Sequence, residues 1–188
     1  THYPAEFMSA NLTSEMSNID RIVILINECR KMKIEVNPPD VNISSIDFRP
    51  VDSTTISFGL NAIKNVGTKA LEQIIESRKE KERYESIYDF TANVALKTVN
   101  KKVLESLIMA GAMDSLEGNR AQKFNEIEVA LKYGQNEQDA QSKNQVDLFG
   151  GSQSNGTSDS MVPVLAQIEE WPESKMLENE KEVLGMYL

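Results

Sequence analysis

The chain has 188 residues, 40% of them hydrophobic and 26% charged, and its formal net charge at pH 7 is -9. This is the composition of a globular protein, and the negative charge argues against binding nucleic acid along the whole chain. A single cysteine excludes an internal disulfide bond, and no apolar run approaches the about 20 residues of a membrane-spanning helix. No signal peptide is recognisable, and residues 1–4 suggest a piece of a longer protein.

The charge is distributed unevenly along the sequence. Residues 60–123 hold 11 Lys and Arg against 9 Asp and Glu, a net charge of +2. Residues 1–59 carry a net charge of -3, and residues 124–188 carry -8. Because only a locally basic face binds phosphates, a nucleic-acid site is expected in the middle of the chain.

The first third of the sequence predicts two helices and a small β-hairpin. Pro4 suits the first turn of a helix over residues 4–16. Ser17 or Asn18 caps a second helix with one apolar stripe, in which Cys29 is expected to be a buried thiol. Residues 34–36 run extended into two prolines, and the alternation at Ile46, Phe48, Ile56 and Phe58 predicts the hairpin.

The central motif of the chain is residues 59–75, which read G-L-N-A-I-K-N-V-G-T-K-A-L-E-Q-I-I. Two short segments with helical apolar spacing flank a turn over Lys64, Asn65, Val66 and Gly67. Gly67 is expected to take a positive φ, and Asn65 tolerates one better than most residues.

A phosphate site is predicted at the start of the second of these segments. Thr68 is expected to cap the helix, whose first N–H groups have no partner within it. Those groups, the helix dipole, Lys64 and Lys69 together favour an anion. The pattern is typical of a helix-hairpin-helix, which holds a nucleic-acid backbone without reading bases. An ordinary turn between two helices with a C-capping glycine fits the same spacing.

Three further helices are predicted after the hairpin. Residues 78–83 form a mixed-charge run that we interpret as a solvated helix end, and Ser86 caps a short helix. The next helix follows residues 97–100 and ends at Gly111, and another runs from Gly118 or Asn119 to about residue 133. Lys101 and Lys102 are secondary candidates for DNA contact, with ordinary solvated lysines as the alternative.

From residue 135 to about residue 160 the sequence becomes rich in Gln, Ser, Asn, Gly and Asp, which predicts a flexible segment. One apolar island interrupts it: Gln145, Val146, Asp147, Leu148 and Phe149. After Pro163 the helical spacing returns, and residues 173–184 predict an acidic helix.

The sequence holds no recognisable catalytic constellation. His2 is the one histidine, so a histidine-based metal or nucleophile site is not expected, and there is no phosphate-binding P-loop or dinucleotide fingerprint. Asp40 and Asn42 are interpreted as turn residues rather than cation ligands. We therefore predict no catalytic residue, no metal site and no cofactor on this chain.

The sequence resembles the alpha subunits of bacterial DNA polymerase III over essentially its whole length. The motifs that carry the resemblance are H-Y-P-A-E-F-M at 2–8, E-C-R-K-M-K-I-E-V-N-P-P-D-V-N at 28–42, F-G-L-N-A-I-K-N-V-G at 58–67, V-N-K-K-V-L-E-S-L-I-M-A-G-A-M-D-S-L at 99–116, G-N-R-A at 118–121 and E-K-E-V-L-G-M-Y-L at 180–188. The resemblance implies a mainly α, multi-helical fold with a helix-hairpin-helix and a small β-hairpin. Residues 1–58 would be the C-terminal part of the fingers domain, 59–134 the DNA-binding region, 135–162 a flexible linker and 163–188 a helix leading to an oligonucleotide-binding-fold domain that is absent here.

The resemblance also implies a function. The parent protein would be a DNA-directed DNA polymerase of the bacterial cytoplasm that uses Mg²⁺, works with the other holoenzyme subunits and has no membrane partner. The palm carboxylates that hold the metal are not in this sequence, so this piece is predicted to be inactive alone. Residues 64–69, with Lys101 and Lys102, would hold the backbone of a primer-template duplex. Asn65 stands where many such hairpins have a glycine, a departure that implies a looser grip.

Residues 145–149 resemble the peptide with which this family docks on the sliding clamp, the beta subunit. In the family this peptide follows the helix-hairpin-helix region, as here, and Val146 replaces a usual Leu. The alternative is that Leu148 and Phe149 pack back onto the chain's own core. For the chain as a whole, the alternatives are a non-catalytic interaction scaffold within the replisome and an autonomous enzyme.

Overall fold

The computed structural model describes residues 3–150 and 161–187, without the side chains of 143–150. Within these residues the fold is mainly α, as the sequence predicts, with eight helices and one three-stranded sheet. The helices are α1 (Pro4–Ser14), α2 (Ile19–Lys31), α3 (Thr68–Lys81), α4 (Ile87–Asn93), α5 (Lys101–Met109), α6 (Arg120–Asn125), α7 (Ile127–Gly150) and α8 (Glu173–Leu184). The strands are β1 (Glu35–Asn37), β2 (Arg49–Pro50) and β3 (Thr55–Ser57).

The two N-terminal helices form as their sequence signals predict. Pro4 opens α1, and the side chain of Asn18 caps α2 by accepting a 3.2 Å hydrogen bond from the Arg21 N–H. The apolar stripe of α2 is buried, and Cys29 is fully buried within it. Burial raises the pKa of the Cys29 thiol to about 11, because a thiolate would lose its hydration there.

The predicted β-hairpin is present, and a third strand joins it. β2 pairs antiparallel with β3, and β1 pairs parallel with β3 on its other side, which gives the order β1-β3-β2. Phe48 and Phe58 come from either side of the hairpin, with their ring centroids 4.8 Å apart. The sequence indicated that the β1 region is extended, but its pairing with β3 depends on how α2 packs and could not be predicted.

Asp40 and Asn42 are turn residues, as predicted. The Asp40 carboxylate accepts hydrogen bonds from the Asn42 N–H at 2.7 Å and from the Ser115 hydroxyl at 2.8 Å. The Asn42 side chain donates to the carbonyl of Tyr84 at 3.0 Å and accepts from the Tyr84 N–H at 2.8 Å. These bonds tie the loop after β1 to the segments that follow α3 and α5.

The mixed-charge run at the end of α3 is not a wholly solvated helix end, so that interpretation was wrong for Arg78. The guanidinium of Arg78 donates to the carbonyls of Val41 at 2.8 Å and Ser44 at 2.9 Å. Burial lowers its pKa, because the cation gives up water for backbone oxygens. Only the long-range fold could bring these carbonyls to residue 78.

The helix expected to end near residue 133 continues, and the linker expected from residue 135 begins as helix. α6 and α7 divide at Glu126, whose carboxylate accepts a 3.1 Å hydrogen bond from the buried Tyr88 hydroxyl. α7 then reaches Gly150. The Gln138 amide donates to the carbonyls of Thr91 at 3.0 Å and Val94 at 2.9 Å. These hydrogen bonds to the C-terminal end of α4 stabilise the helix in a stretch with few apolar side chains.

The C-terminal segment packs against α6, and α8 has the predicted bounds. The Asn119 amide donates to the carbonyl of Ile168 at 2.9 Å, and the Gln122 amide donates to that of Ala166 at 2.8 Å. The rings of Phe124 and Trp171 meet edge to face at 5.3 Å. The N-terminus of α6 therefore anchors the chain that leads into α8.

Candidate nucleic-acid interface

Buried apolar side chains anchor the turn over residues 63–67 in the core. The short segment before it, for which the sequence showed helical spacing, is one 3₁₀ turn, Leu60–Ala62. Leu60, Ile63 and Val66 are all buried, with at most 5% of each exposed. The side chain of Val66 thus belongs to the core and holds the turn in place, so it is not available to a ligand.

Asn65, and not Gly67, takes the positive φ that the turn requires. Gly67 has φ -81° and ψ 152°, an extended conformation open to any residue, so the prediction of a positive φ there was wrong. Asn65 has φ 65° and donates a 3.2 Å hydrogen bond from its amide to the Ser106 hydroxyl. The chain reverses at residue 65 because asparagine tolerates this conformation and its side chain finds a partner on α5.

The N-terminus of α3 has no side-chain cap, so the prediction that Thr68 caps it was also wrong. Gly67 is the N-cap residue, and the Thr68 hydroxyl instead donates to the Asn61 side chain at 3.3 Å. The N–H groups of Thr68 and Lys69 have no hydrogen-bond partner among the described residues. Two exposed donors and the positive end of a helix dipole therefore meet at one place.

The lysines at this end of α3 have no carboxylate partner in the part of the chain that the structure describes. Lys64 and Lys69 are exposed, and neither makes an ion pair within residues 3–150 and 161–187. A Cβ atom built on Gly67, between them, would meet no heavy atom within 4 Å. The surface there is open and positively charged, as a phosphate site requires.

The helices α4 and α5 and the loop between them follow in the chain, and we call this helix–loop–helix segment the second hairpin; Ser106 of α5 accepts the hydrogen bond from Asn65 of the first hairpin. Lys101 and Lys102 are exposed at the start of α5, but carboxylates face both of them. The Lys101 ammonium lies 2.6 Å from Glu128 on α7, and that of Lys102 lies 3.6 Å from Glu105. The hydrogen bond to Glu128 raises the pKa of Lys101 and lowers that of Glu128, because each charge stabilises the other.

Two contacts that the sequence did not predict brace the first hairpin. The Lys64 N–H donates a 2.9 Å hydrogen bond to the carbonyl of Val183, at the end of α8. The Ser106 hydroxyl accepts a hydrogen bond from the Asn65 amide. Ser106 is 1% exposed, a polar residue within the apolar stripe of α5. Its place in that stripe was the one signal that could have indicated a buried polar partner.

The predicted clamp-binding peptide and His2 lie wholly or partly outside the residues that the structure describes. The backbone of residues 145–149 lies in α7, but the side chains of Gln145, Val146, Asp147, Leu148 and Phe149 are outside the described residues. His2 is also outside them. In the part of the chain that the structure describes, no group of three or more His, Cys, Asp or Glu is placed to hold a metal ion. The same residues include no helix long and apolar enough to cross a membrane.

Comparison with known proteins agrees with the geometry. The family described as a helix-hairpin-helix motif matches residues 33–123, a range that contains both hairpins. DNA polymerase III subunit alpha is 39% identical to this chain in Vibrio cholerae, 37% in Escherichia coli and 41% in Saccharopolyspora erythraea. Each alignment covers 100% of the chain. The chain is homologous to a region of DNA polymerase III subunit alpha.

The chain spans 16% of the length of these alpha subunits. It therefore corresponds to one region of DNA polymerase III subunit alpha, with the helix-hairpin-helix family match near its centre. The alignments extend over the full chain, so the resemblance to this family that the sequence motifs indicated is confirmed.

Proposed function

We propose that this chain is the part of a bacterial DNA-directed DNA polymerase, acting in the cytoplasm, that holds the backbone of the primer-template duplex. The observation that carries the proposal is the pair Lys64 and Lys69, exposed and without a carboxylate partner among the described residues, at the uncapped start of α3. The homology to alpha subunits supports the polymerase, and the helix-hairpin-helix match supports the mode of binding.

Binding of this kind is independent of base sequence and sensitive to salt. The two lysines and the free N–H groups of α3 offer two to four phosphate contacts, all to the backbone. Contacts of this number imply a Kd of roughly 10⁻⁴–10⁻⁶ M and a log–log salt slope of about -2 to -4.

The test is a titration of labelled primed duplex with the chain at two salt concentrations. We expect Lys64→Glu with Lys69→Glu to weaken binding at least about tenfold and to flatten the salt slope by about 2, since each lysine releases about one counterion. Lys31→Glu with Lys175→Glu is the matched control, with the same change in charge on α2 and α8. Equal losses in both double variants would show only a net-charge effect, and salt-independent absence of binding would favour an interaction scaffold within the replisome.

We further propose that residues 145–149 dock on the sliding clamp. Support comes from the resemblance of Gln-Val-Asp-Leu-Phe to a clamp-binding peptide and from its position after the helix-hairpin-helix region. Leu148 and Phe149 would fill an apolar pocket of the clamp, and Gln145 would hydrogen-bond at its rim. A second, tethered contact raises the effective concentration of the polymerase on DNA without a large interface.

Fluorescence polarisation of the labelled chain against the cognate clamp tests the docking. Burying one such side chain contributes about 1.5–3 kcal/mol, so replacing both Leu148 and Phe149 with Ala should weaken binding about 10²–10⁴-fold. A change of less than about fivefold would mean that these residues do not anchor the clamp.

The polymerase activity is proposed for the longer protein. Nucleotidyl transfer needs carboxylates that hold Mg²⁺ at the primer hydroxyl and the phosphates, and the palm carboxylate motif of the family is not in this sequence. We expect the purified chain with Mg²⁺ and dNTPs to extend no primer. Template-dependent extension by a preparation free of other polymerases would overturn this assignment.

A further inference from the structure

The two lysines of the second hairpin differ from those of the first in their electrostatic surroundings. Lys101 Nζ lies 2.6 Å from Glu128 Oε1, and Lys102 Nζ lies 3.6 Å from Glu105 Oε2. Lys64 and Lys69 have no such partner within the described residues. A phosphate approaching the second hairpin must therefore compete with carboxylates of the same chain.

Stability does not account for the pair of Lys101 and Glu128. Their side chains are 54% and 77% exposed, and ion pairs this exposed contribute little to folding. The two residues are 27 positions apart, on α5 and α7, so the fold rather than local spacing brings them together. The α7 carboxylate stands directly at the point where α5 begins.

Both carboxylates border the same cleft. A hollow of about 250 Å³ lies between the start of α5 and the junction of α6 and α7. Lys101, Glu105 and Glu128 line it, with Phe124 and Ile127 among its apolar wall. A phosphate that reached Lys101 would face two negative charges within this hollow, and their repulsion would oppose its attraction to the lysine.

We propose that Glu128, assisted by Glu105, withholds the lysines of the second hairpin from the DNA backbone and so sets the strength of duplex binding. The inference rests on the proposed binding of DNA by the first hairpin. In this arrangement the first hairpin supplies most of the contacts, and Lys101 contributes little while Glu128 holds it. A polymerase that moves along DNA gains from this, because weaker backbone contacts are broken more easily at each step.

A double-mutant cycle between Lys101 and Glu128 tests the inference. The proteins are the unchanged chain, Lys101→Gln, Glu128→Gln and the double variant, each titrated with labelled duplex at several salt concentrations. We expect Lys101→Gln to change the affinity less than about twofold. Glu128→Gln should raise it about three- to tenfold and steepen the log–log salt slope by about 0.9, because one more phosphate contact forms. In the double variant the gain should disappear.

The cycle separates release of Lys101 from simple loss of negative charge. If the gain persists in the double variant, Glu128 acts only through net charge and the inference is overturned. Glu178→Gln is the matched control, since Glu178 is 73% exposed and faces Lys175 outside both hairpins. A gain in Glu178→Gln equal to that in Glu128→Gln would overturn the inference in the same way.

The same titrations distinguish failure of this inference from failure of the proposed function. Where the unchanged chain binds duplex and the double change at Lys64 and Lys69 weakens binding, an uncoupled cycle overturns only the role of Glu128. Where the unchanged chain and Glu128→Gln both fail to bind, DNA binding by the hairpins and the role of Glu128 are both wrong. Circular dichroism of each variant confirms unchanged helix content, which exposed substitutions should preserve.

Discussion

Arg120 Nη1 lies 2.8 Å from Glu180 Oε1, and the two side chains are only 13% and 11% exposed. The same guanidinium holds the carboxylate of Asp114 through Nε and Nη2, at distances down to 2.7 Å. Arg120, at the start of α6, therefore joins the turn after α5 to α8, and 60 residues separate it from Glu180. Because the Val183 carbonyl of α8 also accepts a hydrogen bond from the Lys64 N–H, this ion pair supports the helix that braces the turn over residues 63–67.

Removing the guanidinium should destabilise the chain strongly. We expect Arg120→Ala to lower the free energy of unfolding by about 3–5 kcal/mol, since it removes a guanidinium, only 13% exposed, that pairs with two carboxylates. Arg21→Ala is the matched control, because Arg21 faces Glu15 at 3.9 Å with 52% of its side chain exposed, and it should cost less than about 1 kcal/mol. Urea denaturation of both variants provides the comparison, and similar losses would mean that Arg120 is no more than a surface charge.

Substitution by alanine should destabilise the chain less at Gly67 than at Gly185. Gly67→Ala should cost less than about 1 kcal/mol, because φ is -81° and the space around its Cβ position is open. Gly185→Ala should cost at least about 1–2 kcal/mol, because φ is +76° and the new Cβ would collide with Ile19. Thermal denaturation tests both. Gly67→Val should then fold normally, so any loss of duplex binding would report exclusion of the phosphate by the side chain.

Gly134 should resist the substitution that usually strengthens a helix. It lies in α7, where Ala is favoured over Gly by about 1 kcal/mol. A Cβ there, however, would stand 2.6 Å from the carbonyl carbon of Thr91 on α4. We expect Gly134→Ala to destabilise by about 1–3 kcal/mol through overpacking, whereas Asn136→Ala, exposed on the same helix, should be neutral or slightly stabilising. Stabilisation by Gly134→Ala in urea melts would contradict the close packing of α4 and α7.

The pKa of Cys29 predicts a pH dependence of stability. Its folded value is about 11 against an ordinary value of 9.0, because burial penalises the thiolate. Above pH 9 the unfolded chain loses this proton while the folded chain keeps it, so the contribution to stability falls between pH 9 and pH 11. We expect slow alkylation of the native thiol at pH 8 and rapid alkylation in urea. Cys29→Ala should remove the corresponding part of the pH dependence; alkylation at equal rates in both states would contradict burial.

Local signals in the sequence determined the bounds of several elements. Asn18, Ser86, Asn100 and Asn119 cap the helices that follow them, since each side chain accepts a hydrogen bond from a backbone N–H three residues on. Gly111, with φ +76°, follows the end of α5 as its sequence position predicted. These features need only residues within one turn of each other, so a single sequence suffices to predict them.

Tertiary packing decided where the sequence pattern was ambiguous or misleading. α7 extends beyond residue 133 because the Gln138 amide donates hydrogen bonds to carbonyls at the C-terminal end of α4. Asn65 rather than Gly67 takes the left-handed conformation because the Ser106 hydroxyl accepts a hydrogen bond from the Asn65 amide. The sequence alone indicated all four lysines of the two hairpins as candidates for contact with the DNA backbone. Only the fold brought Glu128 to Lys101 and left Lys64 and Lys69 without a partner among the described residues. A charge in the sequence predicts attraction to phosphate, but its strength depends on neighbours that chain folding alone assembles.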